Sequence, residues 1–459
     1  MASHPVIRHI SRCSIKPESL SDESKEPLHL NPWDLSLLNA HYIQKGLLFS
    51  KPSPTKDPSF TIIDHLKDSL SRTLVHFLPL AGHLVTHKQD DPPSYSISLD
   101  CNNPGVDFVH AVADVTMADI LSSVDVPPIV KSFFLLDRAI NHDGHNLPLL
   151  AVQVTEFLDG IFIACSFDHI VGDGTSYWHF FNTWAEICRM MVKGNHDYDH
   201  ISRPPILRRW FLDGQRPIIN LPFSHHDEFI DRYSPPEVLR ERFFHFSSQS
   251  IARLKAKANA ECNTTTISSF QALSSFVWRS VTRARCHLLS QLQTTTCRLA
   301  INNRSRLNPP LSTDYFGNCV ETASATASVG ELLSHGIGWG AWLLHEAVND
   351  HTDSKVRGKL EVWTKSPIIY QYCNFIDPCT VLMGSSPRFN MYGCDFGWGK
   401  AEAVRSGSAN KFDGKVSSYP GRQGRGSVDL EVSLPPESMN ALESDPEFLV
   451  AVSPSHQHQ

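Results

Sequence analysis

The sequence predicts a mixed α/β protein built from two domains, on three observations. Its 459 residues exceed what a single ordinary core organises. Helix-period and strand-period apolar patterns alternate from one end to the other instead of segregating. Hydrophobic residues make up 41% and charged residues 19%, enough apolar side chains for two sizeable cores.

The elements follow in order. Ile62, Ile63, Leu66, Leu70, Leu74 and Phe77 recur at threes and fours, so 59–77 reads as an amphipathic helix, stopped before Pro79. Leu80-Ala-Gly-His-Leu84 then enters a strand. Residues 150–157 and 161–167 read as adjacent strands joined at Asp159-Gly160, a hairpin signal. Tyr177, Phe180, Phe181, Trp184, Ile187, Cys188 and Met191 mark the apolar face of a helix, with Gly194 suited to its end. The stretch 195–238 is rich in His, Asp, Pro and Arg, lacks periodicity, and reads as a long crossover. Beyond it, Phe243–Phe246 is strand-like. One of Thr264, Thr265 or Thr266 is expected to cap a helix whose face is Ile267, Phe270, Leu273, Val277 and Val281. Residues 297–303 and 427–434 read as strands, 331–352 as one helix loosened by Gly336, Gly338 and Gly340, and the tail from Ser453 as disordered. The boundaries expected are therefore 1–195, a crossover 196–238, and 239–459, with 380–405 able to pack on the first domain.

Charge and targeting signals exclude several function classes. The net charge is −7 with no basic stripe, so neither nucleic acid nor an anionic membrane is an expected partner. The first residues lack the apolar core of a signal peptide, and no run approaches the roughly 18 apolar residues of a membrane helix. A cytoplasmic location is expected. The eleven cysteines are scattered without a C-x2-C pair, so neither a disulfide framework nor a metal site is indicated.

The chemistry-bearing stretch is Ile161 to Ser176. It reads as a buried strand, then Asp168-His169, a Gly172-Asp173-Gly174 turn, and a helix start. Three His-x3-Asp pairs occur, His87/Asp91, His110/Asp114 and His169/Asp173, but only the last lies between a strand and a helix with flanking glycines. A histidine at the end of a rigid strand is well presented as a general base. No Gly-x-Ser-x-Gly nucleophile elbow occurs. Gly393–Lys400 lacks the phosphate-loop spacing, and His83-Leu-Val-Thr-His87 lacks the glutamate of a zinc-protease helix.

Downstream stands Asp395-Phe-Gly397-Trp398-Gly399. With the strand-borne HxxxDG, and with Phe77-Leu-Pro-Leu-Ala-Gly-His-Leu84, Asn302-Asn-Arg304-Ser-Arg306 and Tyr315-Phe-Gly-Asn318 in the same order, the chain resembles the plant BAHD acyl-CoA-dependent acyltransferases over nearly its whole length. The resemblance implies two chloramphenicol-acetyltransferase-like domains, each a mixed β-sheet flanked by helices, with the active-site channel between them. It implies acyl-CoA as co-substrate with no permanently bound cofactor, a small-molecule acceptor, and a monomer of plant specialised metabolism. His169 is then the general base that moves a proton from acceptor hydroxyl or amine to CoA sulfur, without a covalent intermediate. Asp173, beside Gly174, is expected to pair with Arg304 and fix the loop. Asp395, Gly397, Trp398 and Gly399 are expected to support the fold rather than react.

The chain departs from many hydroxycinnamoyl-transferring members at Ser386, where those carry Trp. That departure argues against carrying hydroxycinnamoyl specificity over to this chain, and a short acyl donor such as acetyl is the expected group. Ser386 is a candidate oxyanion donor, and Thr266, Ser268 and Ser269 are candidate CoA contacts at a helix N-terminus. Lys400 and Lys411 are weighed as phosphate partners against a solvated surface role. The N-terminal region, with Asn31-Pro-Trp-Asp34-Leu, also resembles a lyase of the same fold acting on an isochorismate-derived conjugate in salicylate formation, which is the alternative reading.

Overall fold

The computed structural model describes residues 6–19, 26–52, 61–102, 104–194, 200–232, 238–371, 377, 379–424 and 426–452. The described residues form two six-stranded mixed sheets and a smaller three-stranded one. The first sheet orders β1 (Ile7–Ile15), β6 (Val106–Ala113), β7 (Leu150–Glu156), β8 (Gly160–Phe167), β3 (Ile43–Ser50) and β13 (Ala403–Ser406). The second orders β11 (Val320–Ser328), β10 (Thr294–Asn302), β12 (Thr380–Gly384), β14 (Lys415–Pro420), β15 (Val428–Leu434) and β9 (Arg240–Phe246). The small sheet joins β2 (Leu28–His29), β5 (Pro93–Asp100) and β4 (His83–Asp90).

β8 is buried at every residue, which is why Gly160–Phe167 reads as an unbroken apolar run and not as an alternating one. Leu47, Phe49, Ile161, Ile163, Cys165 and Phe167 pack with the helices Ile62–His76 and Gly174–Val192. Leu48, Phe162 and Ala164 face the other side, onto Phe133, Phe134 and Phe157. The second sheet is two-faced. Leu299, Val381, Met383, Val416, Leu430 and Val432 bury against the helices Ser248–Glu261, Ser269–Ala284 and Ile337–Asn349. Because side chains alternate along a strand, its opposite face carries Lys415, Ser417, Tyr419, Glu431 and Ser433, with Ser417 paired to Glu431 and Lys415 to Ser433.

The two halves interlock. β13, from the second half of the chain, hydrogen-bonds to β3, with Ser406 opposite Lys45 and Ala403 opposite Leu48. The Asp395–Gly399 segment immediately before it also lies on the first half. Phe396 packs edge-on against Trp184, with ring centroids 5.0 Å apart, and against Phe49 and Phe181 at 5.6 and 5.8 Å. The described part of the crossover, 200–232, contains only a short 3-10 turn at His226–Glu228 and isolated bridges.

Three local expectations need correction. The cap of the helix Ser269–Ala284 is Ser268, not a threonine upstream: its hydroxyl accepts from the Gln271 amide while the Gln271 side chain accepts from the Ser268 amide. The single helix expected over 331–352 is two, Val329–Ser334 and Ile337–Asn349. Glu261 separates them, its carboxylate accepting from the Gly338 amide at 2.7 Å and filling the space a Cβ at Gly336 would need. Lys411 is not a surface lysine: it is buried between Glu431 and Glu241. The tail from Ser453 falls outside the described residues.

Candidate active site

His169 follows β8 directly, so its backbone inherits the sheet's rigidity. Its N–H donates to Asn141 Oδ1 at 2.9 Å, and Asn141 in turn donates to the Leu37 carbonyl at 2.7 Å. The ring is fixed by Asn318. The Asn318 amide nitrogen donates to the His169 carbonyl at 2.7 Å and to Asp34 Oδ1 at 2.9 Å, both of which can only accept. Its oxygen therefore faces His169 Nδ1, at 3.2 Å. An acceptor at that distance requires the proton on Nδ1 and leaves the lone pair on Nε2.

The imidazole is partly exposed and held below its ordinary value of 6.5. Burial is the main cause, and the Lys415 charge adds to it. The ring's own backbone carbonyl, Asp173 and Asn318 oppose it. Neutral imidazole is the form that accepts a proton, so activity is expected to persist below neutrality. The acid limb of the kcat/KM–pH profile should lie below pH 6.5; a limb at or above that value would contradict the burial argument.

Asp173 makes no hydrogen bond to the His169 ring among the described residues. It caps the helix Gly174–Val192, accepting from the amides of Thr175 at 3.0 Å and Ser176 at 3.1 Å. Arg304 grips it bidentately at 2.7 and 3.1 Å, and the Cys319 amide donates at 3.1 Å. Burial pushes this carboxyl up, but Arg304 and the amides outweigh burial and hold it below its ordinary value of 3.8. Arg304 also donates to the carbonyls of Tyr315 and Gly317. The pair thus ties the loop carrying His169 to the loop carrying Asn318. Gly174 leaves room for Phe389, whose ring a Cβ would meet at 3.2 Å.

A second buried ion pair, unforeseen in the sequence, braces the same loops. Arg209, from the crossover, donates to Asp34 Oδ2 at 2.8 Å, to the Val171 carbonyl at 2.7 Å and to the Phe316 carbonyl at 2.5 Å. Asp34 itself completes a capping box with Asn31. That local Asn-x-x-Asp pattern was readable; its long-range partners were not.

The other candidates make none of these hydrogen bonds among the described residues. Asp395 Oδ1 accepts from the amides of Gly397 at 2.8 Å and Gly399 at 3.1 Å, closing a turn in which both glycines have left-handed φ values of +113° and +129°. Trp398 stacks on Phe396. Thr266 contacts His345 at 3.4 Å, Ser268 is engaged as a cap, and Ser269 opens the helix behind it. Ser386 follows β12, its hydroxyl accepting from the Arg388 amide at 3.2 Å. Lys400 is exposed. Among the described residues, His225, His226 and Asp227 form one group of three potential metal ligands within 4.8 Å, on a surface turn. No helix among them is long and apolar enough to cross a membrane.

A sequence family described as the Transferase family matches residues 6–449. The chain is 34% identical to the BAHD acyltransferase DCR of Arabidopsis thaliana, over 97% of this chain and 93% of that one. The chain belongs to the BAHD acyltransferases. It is an acyltransferase. Another relative is an uncharacterized acetyltransferase of Arabidopsis thaliana, 36% identical over 96% of this BAHD chain and 98% of its own. The fold is shared with vinorine synthase, at a TM-score of 0.74 and 22% identity, over 98% of this chain and 99% of that one. It is shared too with F. sporotrichioides TRI101 complexed with coenzyme A and T-2, at 0.71 and 19%, over 93% and 99%.

Proposed function

We propose that this acyltransferase moves an acyl group from a CoA thioester to a hydroxyl or amine of a small acceptor, with His169 Nε2 as general base. The carrying observation is the Asn318 amide, which holds the proton on Nδ1 and leaves Nε2 free to accept. As the acceptor oxygen or nitrogen attacks the thioester carbonyl, Nε2 takes its proton. As the tetrahedral intermediate collapses, the proton passes to the leaving sulfur and free CoA departs, with no covalent bond to the enzyme.

Asp173 and Arg304 position the base without taking part in proton transfer. The Asp395–Gly399 segment anchors the strand that follows it. Thr266, Ser268 and Ser269 remain candidate contacts for CoA, and Ser386 a candidate donor to the oxyanion. Coenzyme A in TRI101 supports a thioester donor, and an acetyltransferase among the relatives supports a short acyl group. The protein is further proposed to act as a cytoplasmic monomer in plant specialised metabolism, organised as a domain 1–195, a crossover 196–238 and a domain 239–459.

The test is a donor-by-acceptor mass-spectrometry screen with thiol detection. Acceptor-dependent release of CoA supports transfer. Product formed without any CoA thioester would replace transfer with elimination.

A further inference from the structure

We propose that Lys45 and Lys415 bind a carboxylate carried by the substrate, on the acceptor or on the acyl group, beside His169; the inference rests on acyl transfer at that residue. The polar face of the second sheet looks onto the end of β3 that carries Lys45. There Lys45 Nζ lies 2.5 Å from the Tyr419 hydroxyl and 4.8 Å above its ring. Lys415 and Tyr419 lie four residues apart on one face of β14. The Lys415 amine sits over Gly384, 2.4 Å from where a Cβ there would lie.

The local charges do not balance. Lys411 sits between Glu431 and Glu241, and Lys131 also pairs with Glu241 at 3.0 Å. Glu431 is saturated further by the hydroxyls of Ser406 at 2.6 Å and Tyr419 at 2.7 Å. Among the described residues, two carboxylates thus meet four lysine side chains. Among the described residues neither Lys45 nor Lys415 has a carboxylate partner. Burial, with the neighbouring Lys411 charge, pushes Lys45 down to about 7 and Lys415 to about 8, offset in part by Glu431. A carboxylate placed beside the two amines favours their ammonium forms and completes the charge that Glu431 and Glu241 leave open.

The pair is also reachable. Lys45 lies inside a sheet, paired on one side to Cys165 and on the other to Ser406, with the second half of the chain above it. It nevertheless keeps partial exposure, as does Lys415. A side chain so placed stays accessible only if space open to solvent lies over it. Lys415 is near enough to His169 to disfavour its protonation. Lys45 is also directly opposite Cys165, four residues before His169 on the strand that leads into it, so a group bound to these lysines lies toward the reacting residue.

The experiment compares matched pairs on the full chain. In the donor arm, malonyl-CoA is compared with acetyl-CoA. In the acceptor arm, aliphatic and aromatic hydroxy acids are compared with their methyl esters. Binding by calorimetry and kcat/KM are read for the wild type, Lys415→Met, Lys45→Met and Lys415→Arg. The expected result is a preference on the order of 10²-fold for the charged member in one arm, which identifies the carrier. Lys415→Met should lose that preference and Lys415→Arg should keep part of it. Equal use of charged and neutral members by the wild type would overturn the proposal. So would a preference that survives in both methionine variants, or equal weakening of both members by Lys415→Met. Charge-dependent binding without thiol release from any pair would sink acyl transfer while leaving the anion site standing.

Discussion

His169→Ala is expected to lower acyl transfer by about 10²- to 10⁴-fold, the range a positioned general base contributes, while leaving the protein folded. The geometry separates these two outcomes. The contact to Asn141 is made by the backbone of residue 169 and survives the substitution. The Asn318 amide nitrogen keeps its carbonyl and Asp34 acceptors, and only its oxygen loses a partner. Circular dichroism and the thermal midpoint should therefore match the wild type closely, with turnover followed by release of CoA thiol. A variant within about tenfold of normal turnover would remove the imidazole from the chemistry.

Arg304→Met should cost about 3–5 kcal/mol of stability, the effect of stripping one partner from a buried ion pair. The side chains of Arg304 and Asp173 are 3% and 4% exposed, so neither charge can turn to water when the other is lost. Methionine also abandons the carbonyls of Tyr315 and Gly317. Denaturant midpoints measure the loss, and activity should fall with it because the loops of His169 and Asn318 are no longer tied. Asp173→Asn keeps the shape and strands the guanidinium, so stability and turnover should again fall together. A fully stable yet inactive Asp173→Asn would instead place the carboxylate in the reaction. The sign with pH follows from Asp173 being held below 3.8. The pair's contribution is fully present above the unfolded value and is lost as pH drops through the folded one. Acid should erode the difference between wild type and Arg304→Met.

The fold was legible where periodicity carries it. The run at Gly160–Phe167 and the helix faces at 62–76 and 174–192 lie close to their expected limits, because burial on one stripe or both faces leaves a local pattern. The residues around the candidate base were legible as motifs in chain order. What no window of sequence contains is a partner far along the chain. Arg209 meets Asp34 across 175 residues, and Asn318 meets His169 across 149. Glu261 breaks a helix 77 residues downstream through the amide of Gly338. Lys411 looks solvated in sequence because nothing nearby discloses Glu241, 170 residues away. Charge compensation and capping by distant groups are products of the folded topology and leave no periodic trace.

The strand Ala403–Ser406 makes the molecule a clasp. A fragment ending at the crossover would leave the edge Ile43–Ser50 bare, with its amides and carbonyls open to another chain. Phe49 and Trp184 would lose the ring of Phe396 that covers them. Synthesis of the first half alone therefore yields an unfinished, association-prone intermediate that waits for the late-emerging segment to close it.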